Sequence, residues 1–333
     1  VEASATITGT RTKVLGTASQ YLYKVRYFNA RSRNIQSQVI NYTGGKDIAT
    51  TQYDFTGKPI RNLLQHVKSG TNAQNHKILT KMNYDAGGRL LTIYKNIDDA
   101  ASDQLISTNT YNELGQLQNK ALGNSLENLA YAYNIRGWLT HLHKNYIAGT
   151  ATTYFGMELG YDKTTSAVGP TGYIAAQFNG NIAGTVWKSK GDGANRKYDF
   201  TYDNLNRLLS ANFLNNGSGS SWSNGFMNYN VTNLSYDANG NILTMNQYGF
   251  RLNGSVPIDQ LAYTYQSNSN KLSIVNDVSN DPNTKLGDFH YTGSKHASDY
   301  SYDGNGNLII DNNKAISSIA YNHLNLPTQI TIT

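Results

Sequence analysis

The sequence predicts an all-β fold, an antiparallel sheet made of repeated hairpins, and three observations predict it. The first is a recurring turn phrase, plainest as Tyr84-Asp85-Ala86-Gly87-Gly88-Arg89-Leu90, Tyr236-Asp237-Ala238-Asn239-Gly240-Asn241-Ile242 and Tyr302-Asp303-Gly304-Asn305-Gly306-Asn307-Leu308. The second is composition: 25 tyrosines and 30 glycines against 3 tryptophans and 5 prolines, with asparagine abundant, suit tight turns between aromatic strands. The third is negative, since helical spacing is not sustained anywhere. Repetition at this spacing is the mark of an array, so function is to be sought in an assembled sheet.

In each phrase the aromatic ends a strand and the following Asp or Asn bonds the backbone ahead of it. A glycine then supplies the positive φ of a type I turn with a glycine bulge. From Val14 to Asn41 the text reads as strands, with Tyr21, Tyr23, Val25 and Tyr27 alternating on one face before the degenerate turn Asn29-Ala30-Arg31-Ser32-Arg33. The repeat positions that follow are Tyr53, Asp54 and Gly57; Tyr84, Asp85 and Gly88; Tyr111 and Gly115; and Tyr133 and Gly137. Residues 145–196 diverge, with a long connection over 166–172 and strand text at 173–178 and 184–188. The phrase resumes at Tyr202 and Asp203, at Tyr236, Asp237 and Gly240, at Tyr265, at Tyr302, Asp303 and Gly306, and at Tyr321. A Gly/Ser stretch over 215–221 reads as an exposed loop, and residues 1–333 read as one continuous segment.

Composition also excludes function classes. At 38% hydrophobic and 15% charged residues the chain matches neither a disordered nor a membrane-spanning composition. No run nears the roughly 18 apolar residues of a spanning helix. The net charge of +6 is scattered singly, which gives no nucleic-acid stripe. Without cysteine there is neither a disulfide scaffold nor a thiolate metal site, and export stays open. No basic region followed by an apolar stretch precedes Val1-Glu2-Ala3, so the text reads as a mature product or an excerpt of a longer chain.

Several phrases together carry a family resemblance: Thr51-Gln52-Tyr53-Asp54-Phe55-Thr56-Gly57-Lys58, Tyr111-Asn112-Glu113-Leu114-Gly115-Gln116-Leu117, Tyr133-Asn134-Ile135-Arg136-Gly137-Trp138-Leu139-Thr140, Phe155-Gly156-Met157-Glu158-Leu159 and Tyr321-Asn322-His323-Leu324-Asn325-Leu326-Pro327. From Tyr21 onward the chain resembles the Rhs or YD-repeat proteins, in the wording of their Bacteroidota branch. The resemblance implies a curved, spirally wound sheet forming part of a hollow β-shell around a C-terminal effector. It also implies that a self-cleaving Asp-Pro-Gly segment and the effector lie outside these residues. About 20 strands at roughly 4.8 Å each make on the order of 100 Å of ribbon, too little to seal in a folded domain.

No catalytic, metal or cofactor site is expected. The turn aspartates Asp54, Asp85, Asp203, Asp237 and Asp303 are explained by the repeat, and Glu158 has no partner legible in sequence. His141-Leu142-His143 has strand spacing that puts two imidazoles on one face, without a third ligand. Asp277, Asp281 and Asn283 lack a calcium-loop pattern, and Gly191-Asp192-Gly193 is a turn. Among Trp138, Trp187 and Trp222, the last sits in the Gly/Ser loop and is the candidate glycan contact. The reading placed first is a non-enzymatic, exported structural or interaction protein of the bacterial cell surface, tied to type IX secretion and to gliding or adhesion. The alternatives are the shell of a polymorphic toxin and a glycan-binding adhesin. Expected partners are other parts of the same shell or a cell-surface or secretion-machinery protein, met at sheet edges such as Ile330 and Ile332.

Overall fold

The computed structural model describes residues 8–124, 126–151, 153–166, 172–217, 221–225, 227–252, 254–291 and 293–333. The start of the chain and parts of the expected loops over 166–172 and 215–221 fall outside them. Regular structure among the described residues is almost wholly strand, with one four-residue helix and one 3-10 turn. The chain forms two compact units, Val1–Trp138 and Leu139–Thr333.

The first unit is one sheet of β1 (Gly9–Lys13), β2 (Tyr21–Phe28), β3 (Asn34–Ile40), β4 (Lys46–Tyr53), β5 (Pro59–Lys68), β6 (Gln74–Tyr84), β7 (Leu90–Ile97), β8 (Gln104–Tyr111), β9 (Leu117–Leu122) and β10 (Glu127–Tyr133). Each strand pairs antiparallel with its neighbour in sequence. The phrase closes every second hairpin, so its turns share one edge of the sheet. The register slips by one residue at each phrase, as between Gln52 and Tyr53 or Asn83 and Tyr84. That bulge sets the aromatic opposite the residue six positions on, Tyr53 against Pro59 and Tyr84 against Leu90. Gly57, Gly88, Gly115 and Gly137 carry positive φ there, and Ser32 takes the same left-handed conformation in the degenerate turn.

The second unit begins with β11 (Leu139–Leu142), the short helix α1 (Lys144–Ile147) and β12 (Phe155–Gly160). It continues through β13 (Gly184–Ser189), β14 (Asn195–Tyr202), β15 (Leu208–Asn215), β16 (Val231–Tyr236), β17 (Ile242–Arg251), β18 (Gly254–Tyr265) and β19 (Leu272–Asp277). These strands again pair with their sequence neighbours. A four-stranded sheet follows, β20 (Tyr300–Tyr302), β21 (Leu308–Asp311), β22 (Ile316–Tyr321) and β23 (Pro327–Ile332), in that order.

Burial divides the units. Every buried hydrophobic side chain among the described residues is in the second, where Ile147, Tyr173, Ala183 and Val186 form a core cluster. The first unit has only partly covered apolar side chains, so cross-strand pairing must supply what a second layer would give elsewhere.

One expectation is corrected here. Residues 173–178 are not a strand, because the Tyr173 side chain turns into the core and draws its backbone off any ladder. β2 alternates as expected, with Tyr23, Val25 and Tyr27 on its more exposed face. Trp222 is half-buried against the core cluster.

Candidate functional site

The turns set the first layer of the site. In the turns opened by Asp54, Asp85, Asp203, Asp237 and Asp303, one side-chain oxygen accepts the N–H four residues ahead: Lys58 N–H donates to Asp54 at 2.8 Å, Arg89 to Asp85 at 2.8 Å, Arg207 to Asp203 at 2.9 Å, Asn241 to Asp237 at 2.8 Å and Asn307 to Asp303 at 2.8 Å. An asparagine serves equally in the turns opened by Asn29, Asn112, Asn134 and Asn322. The position therefore selects an acceptor, not a charge. The bonds hold these aspartates below the usual carboxylate range, led by the Thr56 hydroxyl at Asp54, the Arg89 N–H at Asp85 and the Asn241 amide at Asp237.

The second layer joins hairpin to hairpin. The hydroxyl of each phrase tyrosine donates to the carbonyl of the residue that follows the preceding turn. Tyr53 reaches Asn34 at 2.8 Å, Tyr84 reaches Pro59 at 2.9 Å, Tyr111 reaches Leu90 at 2.8 Å and Tyr133 reaches Leu117 at 3.0 Å. In the second unit Tyr161 reaches Leu139 at 3.1 Å, Tyr202 reaches Ile182 at 2.9 Å and Tyr236 reaches Leu208 at 2.7 Å. Tyr265 to Ile242, Tyr302 to Leu272 and Tyr321 to Leu308 continue the series at 2.9, 3.0 and 2.8 Å. Where the turn carries a cation, it stacks on the next tyrosine: Arg33 over Tyr53, Lys58 over Tyr84, Arg89 over Tyr111, Arg207 over Tyr236 and Lys271 over Tyr302, at 4.6 to 6.0 Å. These groups are ordered by one another; an open cleft of about 510 Å³ at the first turns is lined by Arg33, Tyr53 and Asp54, whose polar groups are engaged in these bonds.

The last rung stands at an edge. β23 is the outermost strand of its sheet, and Ile330 and Ile332 are exposed there. At the other end of the chain β1 pairs outside Tyr21–Val25, so β2 is not a terminal strand.

One buried polar cluster was missed by sequence reasoning. Gly160 and Gly184 face each other across β12 and β13, and the Tyr173 ring lies in the trough they leave. Its hydroxyl donates to Glu158 at 2.7 Å, and His141 Nε2 stands 3.3 Å from the other Glu158 oxygen. Lys197, fully buried, pairs with Asp199 at 2.8 Å, stacks on the Tyr173 ring and donates to the Gly172 carbonyl. Burial acts to raise Glu158, but the bonds from His141, Tyr173 and Ser166 outweigh it and hold the carboxyl below its ordinary range. Burial, then the bond to Glu158, drives the Tyr173 phenol far upward. The cluster pairs opposite charges around a ring that fills its own socket, which is the arrangement of a lock.

His141 and His143 do not share a strand face, because His143 adopts left-handed backbone at the start of α1. Asp277 accepts from Gln260 and Ser279, whereas Asp281 pairs with Arg251 at 2.9 Å, so the Asp277/Asp281/Asn283 set does not converge. A cleft of about 750 Å³ is lined by that ion pair, Arg251 and Asp281, together with Phe250, Val256, Thr284, Lys285 and Leu286. Among the described residues no group of three or more His, Asp or Glu side chains is placed to hold a metal ion. Gly193 closes the β13–β14 hairpin, and Trp187 stacks on Tyr198. Trp138 lies under Arg136.

No protein-family model and no curated protein matches the chain. Among solved structures it is similar to the Tc holotoxin pore of Photorhabdus luminescens, with 13% identity and a TM-score of 0.48 over 93% of this chain and 17% of that one. It is also similar to TcdB2–TccC3 without its hypervariable C-terminal region, at 14% identity and a TM-score of 0.41 over 86% of this chain and 17% of that one. The same pair with Cdc42 gives 14% identity and a TM-score of 0.42 over the same shares. The chain thus spans 17% of the length of those chains.

Proposed function

We propose that this chain is a non-enzymatic wall segment of an Rhs-type β-shell, exported from a bacterial cell, and that the shell encloses the effector of a polymorphic toxin. The observation that carries the reading is the serial bond from each tyrosine hydroxyl to the preceding hairpin, which ties successive hairpins together within each unit. A wall needs registry between many strands and no deep core, and the first unit has that character. The turn aspartates support a structural role, since asparagine replaces them with the same bond. Cell-surface placement, a Bacteroidota origin, type IX export and a part in gliding or adhesion rest on the repeat wording alone and are the narrower form of the proposal.

Electron microscopy of the native protein that contains this segment tests the reading. The expected particle is a hollow β-walled body with density inside its lumen; a solid or filamentous particle overturns it. The non-enzymatic part fails if the purified chain shows a hydrolase activity that Asp237→Asn or Asp303→Asn abolishes while the protein stays folded.

A further inference from the structure

The turns of the first unit leave a row of apolar side chains in water. Each phrase turn lies on the same edge of the sheet, two strands from the next, a step of about 10 Å. Phe55 and Leu114, both 82% exposed, and Ile135, fully exposed, stand at the tips of three of these turns, with Ala86 in the remaining one. Turn tips ordinarily take glycine or a polar residue. A single exposed apolar side chain needs no explanation, but three along one edge do. Cations stand between them. Arg31 stacks on the Phe55 ring at 4.9 Å and donates to the Phe55 carbonyl at 3.0 Å, and Arg33 donates to the Asp54 carbonyl at 3.1 Å. Those acceptors are neutral, so both guanidinium charges stay uncancelled. Lys58, Arg89 and Arg136 belong to the later turns. Against these five cations stand three acids, Asp54, Asp85 and Glu113, which leaves a surplus of two positive charges. Asp54 and Asp85 moreover turn back onto their own backbone N–H groups.

We infer that this edge binds the surface of an anionic lipid bilayer, with Phe55, Leu114 and Ile135 entering the headgroup layer and the arginines meeting lipid phosphates. The spacing favours lipid over a protein partner. The tips are separate, roughly 10 to 20 Å apart, whereas a protein interface is built round a contiguous buried apolar centre. A fluid headgroup layer closes around each tip by itself, and basic residues set among apolar ones are the pattern of segments that lie on membranes. Among the described residues Arg31 uses only Nη1 in a hydrogen bond, and it lines the open cleft beside Phe55, so a phosphate oxygen can take its remaining donors. The opposite edge differs in charge. Tyr42 and Leu126 are exposed there, but the turn between β7 and β8 carries Asp98, Asp99 and Asp103, which repel anionic lipid.

This membrane contact goes beyond the wall reading and does not require it. The full chain is floated with vesicles of phosphatidylcholine alone and with vesicles of equal parts phosphatidylcholine and phosphatidylglycerol. Binding to the mixed vesicles only is expected, weakened by added salt. Phe55→Ser with Leu114→Ser and Ile135→Ser should lower it by about ten-fold or more while the β-sheet circular dichroism stays unchanged, since all three side chains are in water. Arg31→Gln should weaken it about five-fold. Tyr42→Ser with Leu126→Ser, on the other edge, should bind as the parent does. With Ile135→Trp, mixed vesicles should shift the emission to the blue relative to the parent. No binding, equal binding to both kinds of vesicle, equal loss in the two serine variants, or an unshifted emission overturns the inference. So does self-association of the lipid-free parent that the three-serine variant abolishes, which would make the edge a contact between protein chains.

Discussion

In the turn opened by Tyr236, Asp237 Oδ1 accepts from Asn239 N–H at 2.9 Å and Asn241 N–H at 2.8 Å, while the Asn241 amide closes on Oδ2 at 2.7 Å. The amide oxygen of Asn134 accepts the corresponding pair, from Arg136 and Trp138, at 3.0 Å each. Asp237→Asn should accordingly leave the melting curve at neutral pH nearly unchanged. Its effect belongs at low pH. Asp237 has a folded pKa below the ordinary value, so its stabilisation is complete above the unfolded pKa of about 3.9 and is lost as pH falls through the folded one. Urea midpoints measured from pH 5 downward should fall less in the variant than in the parent. These turn residues were legible in sequence because their partners lie within five positions of them. The tyrosine acceptor was not, since Leu208 is 28 residues before Tyr236 and nothing local marks a carbonyl as taken.

At the level of elements, the β12–β13 pair shows how a defect in one strand becomes a socket for another segment. Gly160 and Gly184 lack the side chains that would fill their row, and Tyr173 occupies the space. A Cβ on Gly184 would stand 2.3 Å from the Tyr173 ring and 2.5 Å from the Tyr198 carbonyl, so Gly184→Ala should cost more than about 2 kcal/mol. Gly240→Ala meets no atom within 4 Å and costs only left-handed strain, roughly 1 kcal/mol. Paired urea titrations compare them, and Gly184→Ala should lower the midpoint further. The socket was opaque in sequence for a physical reason. In Lys197-Tyr198-Asp199-Phe200 alternation alone would turn Lys197 and Asp199 to water, whereas here they are the buried residues. Their mutual ion pair and the Tyr173 ring against Lys197 make that inversion tolerable, and Tyr173 lies more than twenty residues away in the text.

Within each unit strands of one sheet pair with their sequence neighbours, so most contacts close short loops and each hairpin depends on the next, as in repeat arrays. With the buried hydrophobic residues gathered in the second unit, the two should open at different free energies. Native-state hydrogen exchange should protect β13 to β15 longer than β2 to β4; equal protection would mean that cross-strand pairs alone match a core. The hairpin bonds also make the protein responsive to alkali. A phenol donates only while it holds its proton, and burial raises Tyr84, Tyr133, Tyr161, Tyr202, Tyr265 and Tyr302 above the usual value. Their contribution is whole below about pH 10 and is lost as pH climbs through the raised values. In a spectrophotometric titration, ultraviolet absorbance of tyrosinate should therefore lag behind that of free tyrosine and then rise together with the collapse of the β-sheet signal. Base would unfasten the seams between hairpins, and the color change at each seam would record its own opening.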